Sequence, residues 1–100
     1  MTHYSYKLYS DKLNSFYKGA TRDILDRLYR HNSGQENYTS KGVPWKLLWY
    51  CENPTKAEAM QLERKLKNLG RKPTIQFMLK YKNQVPSPEV LDFIIKLSGR

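Results

Sequence analysis

FYKGATRDILDRLYRHN, residues 16 to 32, changes its period part-way along. Phe16 and Tyr17 continue an alternation begun by YSYKLY at residues 4 to 9, where Tyr4, Tyr6 and Leu8 share one side, and the turn-prone SDKLNS lies between the two runs. This reads as a β-hairpin. Past Ala20 the spacing becomes helical. Thr21 is the expected N-cap, Asp23 suits a first turn, and Ile24, Leu25, Leu28 and Tyr29 form an apolar stripe that Asn32-Ser33-Gly34 ends, giving a helix over roughly residues 22 to 32. Strand alternation places Lys7 and Lys18 together on the face opposite Tyr6 and Tyr17. That face is expected to reach solvent, with the lysine stems over apolar neighbours and the ammonium groups in water.

Working outward, the polar NSGQENYTSKGVP leads to WKLLWYC at 45 to 51, which is apolar at both parities and so reads as a third strand covered on both sides, with Cys51 a strand residue. Thr55-Lys56-Ala57-Glu58 is a capping box that opens a helix carrying Ala59, Leu62, Leu66 and Leu69 as far as Gly70. Pro73 is expected to open another short helix with Ile75, Met78 and Leu79. After the linker NQVPS, Pro88 suits the first turn of a last helix with Val90, Leu91, Ile94, Ile95 and Leu97 inward and Gly99 just beyond its end. The fold class is α+β, a small three-stranded antiparallel sheet flanked by helices with an extra C-terminal helix. Residues 1–82 are expected to form the main unit, and residues 83–100 a linker and helix packed on the same domain.

The chain has 100 residues, enough for one domain with a modest core. Eighteen Lys and Arg against nine Asp and Glu leave a formal charge of +9, the balance of a protein that meets a polyanion, and nucleic acid leads the candidates. One cysteine and two histidines exclude an internal disulfide framework and argue against a structural zinc site. Neither a secretory leader nor an apolar run of membrane-spanning length is visible, so a cytoplasmic protein with no membrane partner is expected. Oligomeric state is not legible.

Arg27 and His31, at i and i+4, share one flank of the first helix and can reach one ligand, although Asp23 and Asp26 offer ordinary ion pairs to Arg27 and Arg30. Glu63 lies about 80° from the centre of its helix's apolar stripe, where a carboxylate can look into a cleft, and Lys67 offers it an ion pair. Tyr6 and Tyr17 read alone as half-buried sheet residues.

The ordered set says more than its members. From Tyr4 to about Tyr81 the chain resembles the GIY-YIG endonuclease family, specifically its small stand-alone bacterial members. The first motif falls on Tyr4-Ser5-Tyr6 and the second on Tyr17-Lys18-Gly19, with ten residues between them, and both tyrosines and the second glycine are kept. GATRDILDRLYRHN, HNSG and PWKLLWY follow in family order, and EAMQLERKLK matches the segment whose last glutamate, here Glu63, is the family's metal ligand. The resemblance implies a metal-dependent DNA endonuclease, structure-selective rather than sequence-specific, with Tyr6, Tyr17, Arg27, His31 and Glu63 catalytic. Glu63 would hold one Mg2+ or Mn2+, a hard cation suited to carboxylate and phosphate. Branched, flapped or damaged duplex DNA is the implied partner, with Tyr38, Lys41, Lys56, Arg64, Lys67 and Arg71 as the nucleic-acid track. The alternative is a catalytically inactive nucleic-acid-binding module on the same fold, because the first motif lacks its glycine and both lack their isoleucines.

Overall fold

Antiparallel pairing of β1 (His3–Ser10) with β2 (Ser15–Thr21) sets Tyr6 opposite Gly19, Lys7 opposite Lys18 and Leu8 opposite Tyr17. The structure, a computed structural model, describes residues 2–67 and 69–99; Met1, Asn68 and Arg100 lie outside it. After the hairpin come α1 (Ile24–Asn32), β3 (Trp45–Asn53), α2 (Lys56–Lys67), α3 (Arg71–Lys80) and α4 (Pro88–Ser98). The sheet order is β2-β1-β3, so the fold is the expected α+β arrangement of a three-stranded antiparallel sheet with helices.

Each sheet face carries its own core. Tyr6, Leu8 and Trp45 pack with Ile24 and Leu28 of α1 on one side, while Tyr9, Leu48 and Trp49 pack with Leu66, Ile75, Met78, Ile94 and Leu97 from α2, α3 and α4 on the other. A register shift explains why WKLLWYC is apolar at both parities. Leu8 pairs with Leu47 and Lys7 with Trp49, so Leu48 is the extra residue of a bulge, and it joins the same core as its neighbour Trp49. The most fully covered strand is central β1 rather than β3, whose Lys46, Tyr50 and Glu52 are exposed.

Several helix ends differ from expectation. Asp23 caps α1 by accepting from the Asp26 amide, while the Thr21 hydroxyl accepts from the Asp23 amide 3.1 Å away, so the threonine shapes the turn before the helix. Only the threonine half of the Thr55–Glu58 box forms, from the Glu58 amide to Thr55 Oγ1. Helix α2 ends at Lys67, short of Gly70, and α3 begins at Arg71, two residues before Pro73. In α4, Ser87 accepts from the Val90 amide, Pro88 fills the first turn, and Ile95 faces outward while Phe93 meets the Tyr9 ring at 5.6 Å.

The clearest departure concerns the two lysines. They do lie opposite Tyr6 and Tyr17, but α2, α3 and α4 cover much of that face: Lys7 is buried, and Lys18 is half-buried with its ammonium turned onto protein oxygens rather than out into water as expected. Lys7 is 0% exposed, with its Nζ unpaired by any hydrogen bond, 3.8 Å from the Trp49 ring centroid and 4.5 Å from that of Phe77. Burial, reinforced by the Lys18 charge, pushes its pKa down to about 7. Lys18 Nζ donates to the carbonyls of Leu66 (2.8 Å) and Leu69 (3.0 Å) and to Thr74 Oγ1 (2.9 Å), which uses all three ammonium protons. A cation from the sheet therefore closes the C-terminal end of α2, where the helix dipole is negative.

Charged hydrogen bonds contribute about 1.5–3 kcal/mol each and are not additive, so Lys18→Met is expected to lower stability by about 2–4 kcal/mol in urea unfolding at pH 7. Lys7 should act in the opposite sense. Between about pH 7 and the unfolded value of 10.5, the unfolded chain holds a proton that the folded chain has released, so stability rises with pH across that window. Lys7→Met is accordingly expected to stabilise the protein, with the gain large at pH 6 and small near pH 10 in paired denaturant titrations.

Candidate active site

Gly19 is required by close approach. A Cβ there would stand 2.6 Å from Tyr6 Oη and 2.8 Å from its Cζ, so the phenol can cross the neighbouring strand only because residue 19 has no side chain. Tyr6 is 3% exposed and its Oη lies 3.1 Å from His31 Nε2. His31, 1% exposed near the end of α1, has Nδ1 2.8 Å from Thr39 Oγ1. The loop that carries Thr39 is fixed by Trp45, whose indole donates to the Thr39 carbonyl at 2.8 Å, and by Asn32, whose amide donates to the Trp45 carbonyl at 3.1 Å.

These surroundings set the protonation states. Burial pushes the Tyr6 phenol above its ordinary pKa, the Arg27 guanidinium opposes that, and the charges of Tyr17 and Glu63 add to it. Burial and then the positive charge of Arg27 push His31 below its ordinary value, with Glu36 opposing. At neutral pH both groups are uncharged. The tautomer that leaves neither ring nitrogen idle and gives the phenol an acceptor has Tyr6 donating to Nε2 and Nδ1 donating to Thr39 Oγ1. The result is a buried chain in which an imidazole nitrogen stands ready to take the phenolic proton.

Arg27 and Glu63 approach from the two sides of the sheet. Arg27 Nη1 contacts Glu36 Oε1 at 3.1 Å, while its buried Nε has no hydrogen-bond partner. Asp23 is occupied as the helix cap, so Arg27 lacks its expected i−4 partner, whereas Arg30 and Asp26 pair at 3.1 Å as expected. Arg27 lines a cleft of about 660 Å3 with Thr21, Arg22 and Asp26. Glu63 lines another, of about 580 Å3, with Thr21, Arg22, Lys56 and Met60. The two clefts share Thr21 and Arg22 at the end of β2, so a ligand crossing that free strand edge meets a guanidinium from the α1 side and a carboxylate from the α2 side. Glu63 also has the predicted i+4 pair with Lys67, at 3.5 Å.

Tyr17 joins the cluster through its ring, 4.8 Å from the His31 centroid, 6.3 Å from Tyr6 and 5.8 Å from Tyr38. Tyr38, Lys67 and Arg71 share the wall of a third cleft with Tyr17, and Lys56 lines the Glu63 cleft. Lys41 and Arg64 are exposed and line none of these three clefts. Sequence reasoning missed the supporting roles of Thr39 and Glu36, which reach His31 and Arg27 from a loop with no periodicity; their only signal was polarity next to a helix already suspected of chemistry.

A family model described as the GIY-YIG catalytic domain matches residues 2–76. The chain belongs to the GIY-YIG family. This is a nuclease family, so its domain implies a nucleic-acid substrate, and its nucleases generally use divalent metal ions. The chain is 37% identical over 79 residues to a UPF0213 protein of Halalkalibacterium halodurans, covering 78% of this chain and 83% of that one. It is 43% identical over 72 residues to a UPF0213 protein of Bacillus licheniformis, covering 71% and 73%. The solution structure of the UPF0213 protein BH0048 from Bacillus halodurans superposes with a TM-score of 0.51 at 33% identity, covering 86% of this chain and 89% of that one. Small stand-alone GIY-YIG proteins are thus its relatives. No helix among the described residues is long and apolar enough to cross a membrane.

Within this GIY-YIG frame, Ser5 and Lys18 stand where the motifs have isoleucine. Both point at α2 and bond to its carbonyls, Ser5 Oγ to Ala59 at 3.3 Å and Lys18 Nζ to Leu66, with Leu69 just past the helix as a further acceptor for Lys18. These two departures therefore replace packing on the helix with hydrogen bonds to it, while the third, Tyr4 where the first motif has glycine, stands on the Tyr6 side of β1 and lines the Arg27 cleft. The electrostatics have a direct readout. In an NMR pH titration the His31 imidazole is expected to titrate below the usual 6.5, and Arg27→Gln should raise its pKa by removing the neighbouring positive charge.

Proposed function

We propose that the chain is a metal-dependent DNA endonuclease that selects structure rather than sequence. The Tyr6–His31–Thr39 chain beside Arg27 carries this reading, because it couples a proton acceptor to a phosphate-shaped donor at one strand edge. Hydrolysis of a phosphodiester needs proton removal from the attacking water and neutralisation of the non-bridging oxygens. Arg27 supplies the second, its guanidinium leaving Glu36 for a substrate phosphate that can accept two N–H bonds. Tyr6 accepts the water's proton as its own passes to His31 Nε2. A phosphate on Arg27 also neutralises one of the influences that make His31 a weak base, so binding primes the acceptor.

Among the described residues no three His, Cys, Asp or Glu side chains form a metal-holding group, so Glu63 would act as a lone carboxylate. That donor set fits Mg2+ or Mn2+, which is commonly held by one or two carboxylates with water and substrate phosphate completing the shell. When bound, the metal supplies further neutralisation of phosphate charge. Contacts from basic side chains to phosphates give affinity without base preference, which supports selection by shape. Two of the motif departures, Ser5 and Lys18, lie against α2, while the third, Tyr4 in place of the glycine, lines the Arg27 cleft, so the inactive module stands as the competing outcome of the cleavage assay.

Purified protein with Mg2+ or Mn2+ is expected to cut branched or flapped DNA in a panel that includes duplex, single-stranded DNA and RNA, and EDTA should stop it. Glu63→Gln and Tyr6→Phe should each lower kcat/KM about 100-fold or more while DNA binding survives. Full activity in Glu63→Gln would overturn the metal assignment. Salt-sensitive binding with no cleavage of any substrate would favour the silent module.

A further inference from the structure

A third cleft, of about 670 Å3, runs from Tyr17 along the hairpin to the start of α3. Its lining includes Phe16, Tyr17, Tyr38, Lys18, Lys67 and Arg71, and no carboxylate. Anion and flat ring are thus both accommodated. The cations are not equivalent: Lys18 has spent its three protons on Leu66, Leu69 and Thr74 and contributes only charge. Arg71 is held by one bond from Nη1 to the Asn14 carbonyl at 3.2 Å and lies 5.8 Å from the Phe16 ring centroid, which leaves its other N–H groups available. Lys67 is 66% exposed and only loosely tied to Glu63. Tyr38 is 83% exposed, yet its ring is braced against Tyr17.

The cleft adjoins the candidate site through two of its lining residues, Tyr17, whose ring meets that of His31, and Lys67, which pairs with Glu63. Its size suits a drug-sized ligand such as a nucleotide, and is too small for a duplex. We propose that it is a subsite for one nucleotide lifted out of its stack beside the scissile phosphate, with the base on Tyr38 and a phosphate on Lys67 and Arg71. This assignment rests on the nuclease reading and deepens it: the preferred substrates are those in which the nucleotide next to the cut is already unpaired, because unstacking then costs nothing extra.

The test is binding of the full chain, in EDTA, to a short single-stranded oligodeoxynucleotide carrying a central 2-aminopurine. Wild type should change the 2-aminopurine fluorescence on binding. Tyr38→Leu should abolish that change and weaken binding about tenfold, Tyr38→Trp should retain both, and Lys67→Met or Arg71→Met should each reduce the steepness of the salt dependence. Fluorescence and affinity unchanged in Tyr38→Leu would overturn the subsite, as would wild-type binding with no fluorescence change. The nuclease reading fails separately: it falls if wild type cuts nothing with metal present, whatever the Tyr38 variants do to the probe.

Discussion

The rest of the structure depends on the three hydrogen bonds of the Lys18 ammonium. They join an outer strand of the sheet to the end of α2 and to Thr74 in the first turn of α3, some fifty residues further along the chain. Glu63 lies one turn before Leu66 on α2, so the same contacts set where its carboxylate stands relative to β2. Ser5 holds the other end of that helix through Ala59. Two polar side chains thus position the helix that brings the proposed metal ligand to the cleft, a task that isoleucines can perform only through contact area. Charged donors facing carbonyls fix direction as well as distance.

Much of this was legible from the chain and some of it was not, for reasons that can be named. The change of period between Phe16 and Asn32 shows a strand entering a helix, and the sheet, its strand order apart, follows from alternation. Alternation also separates the lysines from the tyrosines correctly. It cannot report what covers the second face, and the rule that lysine prefers water gave the wrong environment for Lys7 and Lys18. Thr21 and Asp23 are both good caps two residues apart, and only backbone geometry distinguishes them. The bulge at Leu48 leaves a trace, the loss of alternation in WKLLWYC, but the same pattern fits a strand covered on both faces, which is the expectation it raises.

At the candidate site, the residues on regular elements were visible and their supports were not. Tyr6, Tyr17, Arg27, His31 and Glu63 each occupy a position that spacing or motif can specify. Thr39 and Glu36 come from the segment between α1 and β3, where contact is decided by how the chain folds back rather than by any repeat. Their effect is nevertheless large in character. Thr39 selects which imidazole nitrogen faces the phenol, and Glu36 occupies the guanidinium until an anion replaces it.

The paired lysines also bear on how the hairpin keeps its alignment. β2 is an outer strand with an open side, the kind of edge on which another chain can add itself or against which a neighbour can slip. Sliding β2 by one residue would turn Lys18 out of its carbonyl cage and into the aromatic core around Trp45, while Tyr17 would land among the ends of α2 and α3. A strand made of valines and isoleucines would tolerate that error far better. Setting one lysine in the core and its cross-strand partner against protein oxygens makes a wrong alignment electrostatically expensive, which favours the register that brings Tyr6 over Gly19.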